Sequence, residues 1–87
     1  MQNSQATRKR LEEGLKHHQN GEFELAEKIY KRVLEEDPEN ADASHFLGLI
    51  AHQHKNFETA VKCIRQAILM DPARPTFHFN LGAAQLA

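Results

Sequence analysis

The chain is predicted to be all-α, an α-solenoid of five helices stacked as antiparallel pairs. Three observations predict this: an internal period of 34 residues, apolar residues at helical spacing within each period, and Gly, Asn and Pro at the places where helices should start and stop. Strict alternation of apolar and polar residues, the mark of a half-buried strand, occurs nowhere in the sequence.

The period comes from laying residues 7–40 over residues 41–74, which brings ten identities into register. Gly14 falls on Gly48, Leu15 on Leu49, His18 on His52 and Gln19 on Gln53. Phe23, Glu24, Ala26 and Lys28 fall on Phe57, Glu58, Ala60 and Lys62, and Asp37-Pro38 falls on Asp71-Pro72. Average residue usage would give about two matches by chance. Leu81-Gly82 repeats Leu47-Gly48 once more. The organisation is a lead-in over 1–6, repeat 1 over 7–40, repeat 2 over 41–74, and the first helix of a partial repeat 3 over 75–87, expected to act as a cap. The stop at Ala87 reads as a cut inside a longer array.

Helices are expected near 5–19, 22–36, 41–54, 57–70 and 75–86. The first has only Leu11 and Leu15 as large apolar residues, which suits an end helix facing solvent. Gly21 permits the tight turn that follows it. The third is apolar nearly all round (Ala43, Phe46, Leu47, Leu49, Ile50, Ala51), so it should be buried on more than one side. The fourth carries a single stripe, Phe57, Ala60, Val61, Ile64, Ala67 and Ile68. Asn40 and Asn56 are expected to cap the third and fourth helices by accepting free amide hydrogens. Pro38 and Pro72 push the residues before them out of helical geometry, and Pro75 suits a first turn. Gly14, Gly48 and Gly82 recur in mid-helix, where glycine costs about 1 kcal/mol relative to alanine. A cost repeated at that period implies a required close approach between helices. Charge pairs four residues apart (Glu24–Lys28, Glu27–Lys31, Glu58–Lys62) suit the exposed faces.

Composition narrows the function. The 87 residues carry a formal net charge of −1, so no global field draws the chain to nucleic acid or to an anionic membrane. The basic cluster Arg8-Lys9-Arg10 is followed by Glu12 and Glu13, at pairing distance on a helix. No apolar run approaches the ~20 residues needed to span a bilayer. Cys63 is the sole cysteine, and the N-terminal residues have no signal-peptide core, so a reducing, cytoplasmic setting is expected. None of the six histidines lies four residues from another, the spacing of paired helical metal ligands, so no metal site and no cofactor are expected. No nucleophile elbow, phosphate loop or zinc-protease motif occurs, and the chain is read as no enzyme.

The 34-residue unit with Leu47-Gly48, Phe57, Ala60, Ile64, Ala67 and Asp71-Pro72 resembles the tetratricopeptide repeat, here about 2.5 repeats long. Repeat 1 departs from the pattern, with Glu13 in the slot of Leu47 and His17 in the slot of Ala51. The resemblance implies a right-handed stack in which the first helix of each pair lines a concave groove for a peptide or protein. The residues that would face it are Leu11, Leu15, His18 and Gln19, then His45, Leu49, His52 and Gln53, then Phe79, Asn80 and Ala83. His45, Leu49 and His52 share one helical face in any case. The places where chaperone-binding members grip a C-terminal carboxylate hold Leu11, Leu15, Phe46, Thr76 and Asn80, of which only Asn80 has a suitable side chain. The segments Phe46–Gln53 and Phe79–Gly82 are also similar to the leading repeats of large bacterial proteins that carry glycosyltransferase or sulfotransferase domains, where groove asparagines hold substrate backbone. Two further roles follow as alternatives to a binding groove: recruiting substrate for such a domain, and homo-oligomerisation or spacing through residues 75–87.

Overall fold

The computed structural model describes residues 5–86. It contains α1 (Gln5–Gln19), α2 (Phe23–Glu36), α3 (Ala41–Gln53), α4 (Phe57–Met70) and α5 (Pro75–Leu86), and no strand among the described residues. The expected helices are met to within one residue at each end. Successive helices pack on one another, with the tightest pairings α1 on α2 and α3 on α4. Residues 1–4 of the lead-in and residue 87 of the partial repeat lie outside the described residues.

Local chemistry sets the boundaries. The Asn40 side chain accepts from the Ala43 amide at 2.9 Å, and Asn56 accepts from the Thr59 amide at 3.4 Å. The Asp37 and Asp71 amides close the ends of α2 and α4 on the carbonyls of Val33 and Ala67. At the end of α1 the Glu22 amide donates to the His17 carbonyl at 2.8 Å and the Gly21 amide to His18 at 3.1 Å. At the end of α3, Asn56 donates to Ala51 at 2.8 Å and Lys55 to His52 at 2.9 Å. Both turns therefore have the crossed hydrogen bonds that need a left-handed residue just past the helix. Gly21 supplies it with φ 78°, but in the second turn Lys55 is forced to φ 63°. A side chain there costs about 1 kcal/mol or more. Lys55→Gly should therefore raise the stability of the chain by about 1 kcal/mol, measured by urea denaturation. No gain would mean that the Lys55 side chain makes a compensating contact.

Two small cores hold the stack. Ala26, Tyr30 and Ile50 form one, with Leu11, Phe23, Phe46 and Leu47 against it. Ala51, Ala60, Ile64 and Ala84 form the other, joined by Val61, Ile68 and Leu81. The repeated glycines explain how the pairs approach. A Cβ on Gly14 would lie 2.6 Å from Cε1 of Tyr30, and one on Gly48 would lie 2.7 Å from Cγ1 of Ile64. The small residue of each first helix is thus the seat of the large one on the second.

Ion pairing on the surface is partly as expected. Glu27 and Lys31 close at 3.2 Å. The basic cluster also reaches further than the sequence suggested, since Arg10 pairs with Glu36 on α2, where Glu36 also meets Arg32 at 3.7 Å. These groups are substantially solvated, so they orient α1 on α2 more than they stabilise it.

Candidate functional site

The residues expected to face a groove fall into two groups. Leu15 and Leu49 are half-buried, equivalent in the two repeats, and lie outside both cores. Gln19 and Gln53 beside them are exposed, and Phe79 on α5 is 76% exposed. Ala83 is half-buried. Leu15 and Gln19 border a shallow cleft along α1 with Lys9, Glu12, Glu13 and Lys16. These six residues keep surface that a ligand could meet.

The other five are already engaged. Leu11 packs on the Ala26–Tyr30–Ile50 core and also edges a polar cleft with Asp42 and Arg74. His18 sits edge-on to Phe23 with ring centroids 5.6 Å apart, and its Nδ1 lies 3.3 Å from the Tyr30 hydroxyl. His52 meets Phe57 in the same way at 5.4 Å. The two histidines therefore share a structural job: each folds across the turn onto the first aromatic of the next helix. Both members of each contact were among the ten identities. A five-residue separation across a turn is not a helical spacing, which is why sequence periodicity did not join them.

His45 corrects the expected groove set. It is 4% exposed, with its ring 4.5 Å from Phe77 and 5.6 Å from Phe46. Its Nε2 lies 2.8 Å from Nδ2 of Asn80, so the Asn80 amide donates and a neutral imidazole accepts. The reason is that α5 lies against α3 at this place and covers the ring. Asn80 is spent in the same bond.

Charged groups complete this seam between α3 and α5. The Arg74 guanidinium donates to Asp42 at 2.6 Å, approaches Asp71 at 3.5 Å and lies 4.6 Å over the Phe77 ring. The hydrogen bond to Asp42 raises the Arg74 pKa further. Burial holds the His45 pKa below its ordinary value, with Asp42 pulling it up and Arg74 pushing it down. Burial lowers His18 as well. The same cause lifts the Tyr30 phenol to about 12. Burial also raises the Cys63 thiol, against the opposing pull of Lys62 and Lys31, which leaves it a poor nucleophile.

The sign of the pH effect follows. A histidine whose folded pKa is depressed binds fewer protons folded than unfolded, so its stability contribution is whole above the unfolded value of about 6.5. It is lost as pH falls from there through the folded value. The chain should lose stability on acidification below about pH 6.5, and His45→Asn should flatten that dependence. Urea midpoints at pH 7.5 and pH 5 for both proteins provide the measurement. An equal acid loss in the variant would assign it to His18 or to other groups.

A family model for the tetratricopeptide repeat matches residues 17–87. The chain belongs to this family. No curated protein matches the sequence. Tetratricopeptide repeats generally mediate protein–protein interaction on a non-catalytic scaffold. Among the described residues, no three His, Cys, Asp or Glu side chains are grouped to hold a metal, and no helix is long and apolar enough to cross a membrane.

Proposed function

We propose that the chain is a protein-interaction module that takes a peptide or protein segment along the face built from the first helix of each pair. The observation that carries this reading is the pair Leu15 and Leu49: large apolar side chains in the same slot of consecutive repeats, outside both cores, each four residues before an exposed glutamine. Neither is part of a core cluster and each keeps some surface, and apolar groups ringed by polar ones suit a partner. Gln19 and Gln53 supply donors and acceptors for a partner's backbone. The contact set is narrower than the resemblance implied, resting on Leu15, Gln19, Leu49, Gln53, Phe79 and Ala83.

A role in recruiting substrate to a glycosyltransferase or sulfotransferase draws less support. The single asparagine that could hold substrate backbone, Asn80, already gives its amide to His45.

Affinity capture from source-cell lysate, with the wild-type chain and Leu49→Glu as paired baits, tests the reading. A protein kept by the first and lost by the second is the expected result. Circular dichroism must show equal helix content for the comparison to stand. Identical retention by both baits would sink the groove.

A further inference from the structure

Two seams join the first helices of successive repeats, α1 to α3 and α3 to α5, and equivalent residues close them with different chemistry. The 34-residue period puts His45 in the slot of Leu11 and Asn80 in the slot of Phe46. Leu11 and Phe46 both pack on the Ala26–Tyr30–Ile50 core. His45 and Asn80 instead meet through a hydrogen bond of 2.8 Å. Beside that bond the Arg74 guanidinium, just before α5, donates to Asp42 of α3 and approaches Asp71. The second seam is the polar member of a matched pair, and its central group can take up a proton.

We propose that the α3–α5 seam is a proton-operated hinge: a proton taken up by His45 releases α5 from α3, while α1, α2 and α3 stay packed together. The closed seam suits the neutral ring and not the cation. The ring is 4% exposed and lies against Phe46 and Phe77. Its Nε2 accepts from the Asn80 amide, so a proton placed there faces a donor. Turning the amide to offer its oxygen would restore one hydrogen bond and none of the lost hydration. The charges that act on the ring oppose each other: Asp42, on its own helix, favours the cation, and Arg74, in the turn before α5, disfavours it. Asp42 is already bonded to that same guanidinium. The covering helix α5 contains no Asp, Glu, Lys or Arg, and α1, α2 and α4 bring no charged group to bear on the ring. Releasing α5 is the direct route to water, because α5 supplies both Phe77 and Asn80. Only Phe77 and Ala84 of that helix are buried, so little else resists.

The hinge concerns the side of α5 that α3 covers, and not its other face. Phe79 and Ala83 move with α5, so acid would part them from Leu49. That consequence rests on the groove reading, whereas the hinge does not, and a test without any partner lets the two fail separately. Native-state amide hydrogen exchange of the whole chain at pH 7.5 and pH 5, corrected for intrinsic rates, provides it. Protection of the α5 amides should fall by about tenfold between the two, as a histidine of unfolded pKa about 6.5 and lower folded pKa requires. At pH 5 the α2 amides should remain better protected than those of α5. His45→Leu with Asn80→Phe gives the second seam the residues of the first and should abolish the tenfold fall. Asn80→Asp keeps the histidine and gives its proton an acceptor. The folded pKa then lies above the unfolded one, so α5 protection should hold or rise as pH falls. This variant decides the matter if the double replacement fails to fold. Equal protection of α2 and α5 at pH 5 would mean that the chain opens as a unit, which overturns the hinge. A tenfold fall that persists in Asn80→Asp overturns it too, because the proton then acts elsewhere.

Discussion

Phe77→Ala is expected to lower the stability of the chain by about 3–5 kcal/mol, the usual cost of truncating a fully buried aromatic. The reason for so large an effect is how little else holds α5. Phe77 is 0% exposed and Ala84 is 2% exposed, and no other side chain of that helix is buried. The Phe77 ring is also the floor under His45 and the face beneath the Arg74 guanidinium. Its loss would open the His45–Asn80 bond to water and leave the Ala51–Ile64 core without its outer layer. In a small array, where neighbour packing supplies the stability, that is a large share of a total near 5 kcal/mol. Urea denaturation gives the energy and hydrogen exchange gives the location: α5 amides should lose protection before those of α3. A change under about 1 kcal/mol would mean that α5 is no cap.

The second large effect is at Gly48. Gly48→Ala should destabilise by about 1–3 kcal/mol even though alanine is the better helix former, because overpacking outweighs propensity here. The added methyl would lie 2.7 Å from Ile64 Cγ1, 3.2 Å from the Ala60 carbonyl oxygen and 3.3 Å from the Cys63 Cβ. The carbonyl belongs to the α4 backbone, so relief requires α3 and α4 to separate. Gly82→Ala is the control in the same register. With nothing nearby, it should gain up to about 1 kcal/mol from propensity alone. Opposite signs at 48 and 82, read as shifts in urea midpoint, are the expected result. Equal signs would show that close approach does not explain the recurring glycines.

The fold was legible because each repeat carries the same signals at the same offsets. Period, cap residues, prolines and apolar stripes all pointed to one answer, and the helices lie where those signals put them. Lys55 was harder to see: its slot matches Gly21, but the left-handed backbone there is imposed by the turn and not by the residue. The candidate site was legible only in part. Sorting residues by the face of one helix separates Leu49 from Ile50 correctly. It says nothing about which neighbour later covers that face. His45 and Leu49 share a face, yet α5 buries the first and leaves the second with free surface. Likewise His18 and His52 are polar and repeated, which suggests a surface role until their contacts with Phe23 and Phe57 are known. The unfilled notch at Gly82 has no sequence signal at all, because the residue type matches its two filled counterparts.

The claim at the centre of this account is that a partner lies along α1, α3 and α5 over Leu15 and Leu49. Backbone amide chemical shifts, followed while the captured partner segment is titrated into the chain, test it directly. Shifts concentrated around Leu15, Gln19, Leu49 and Gln53, absent in the folded Leu49→Glu variant, are the predicted result. Shifts confined to the exposed faces of α2 and α4, and unaltered by that substitution, would contradict it.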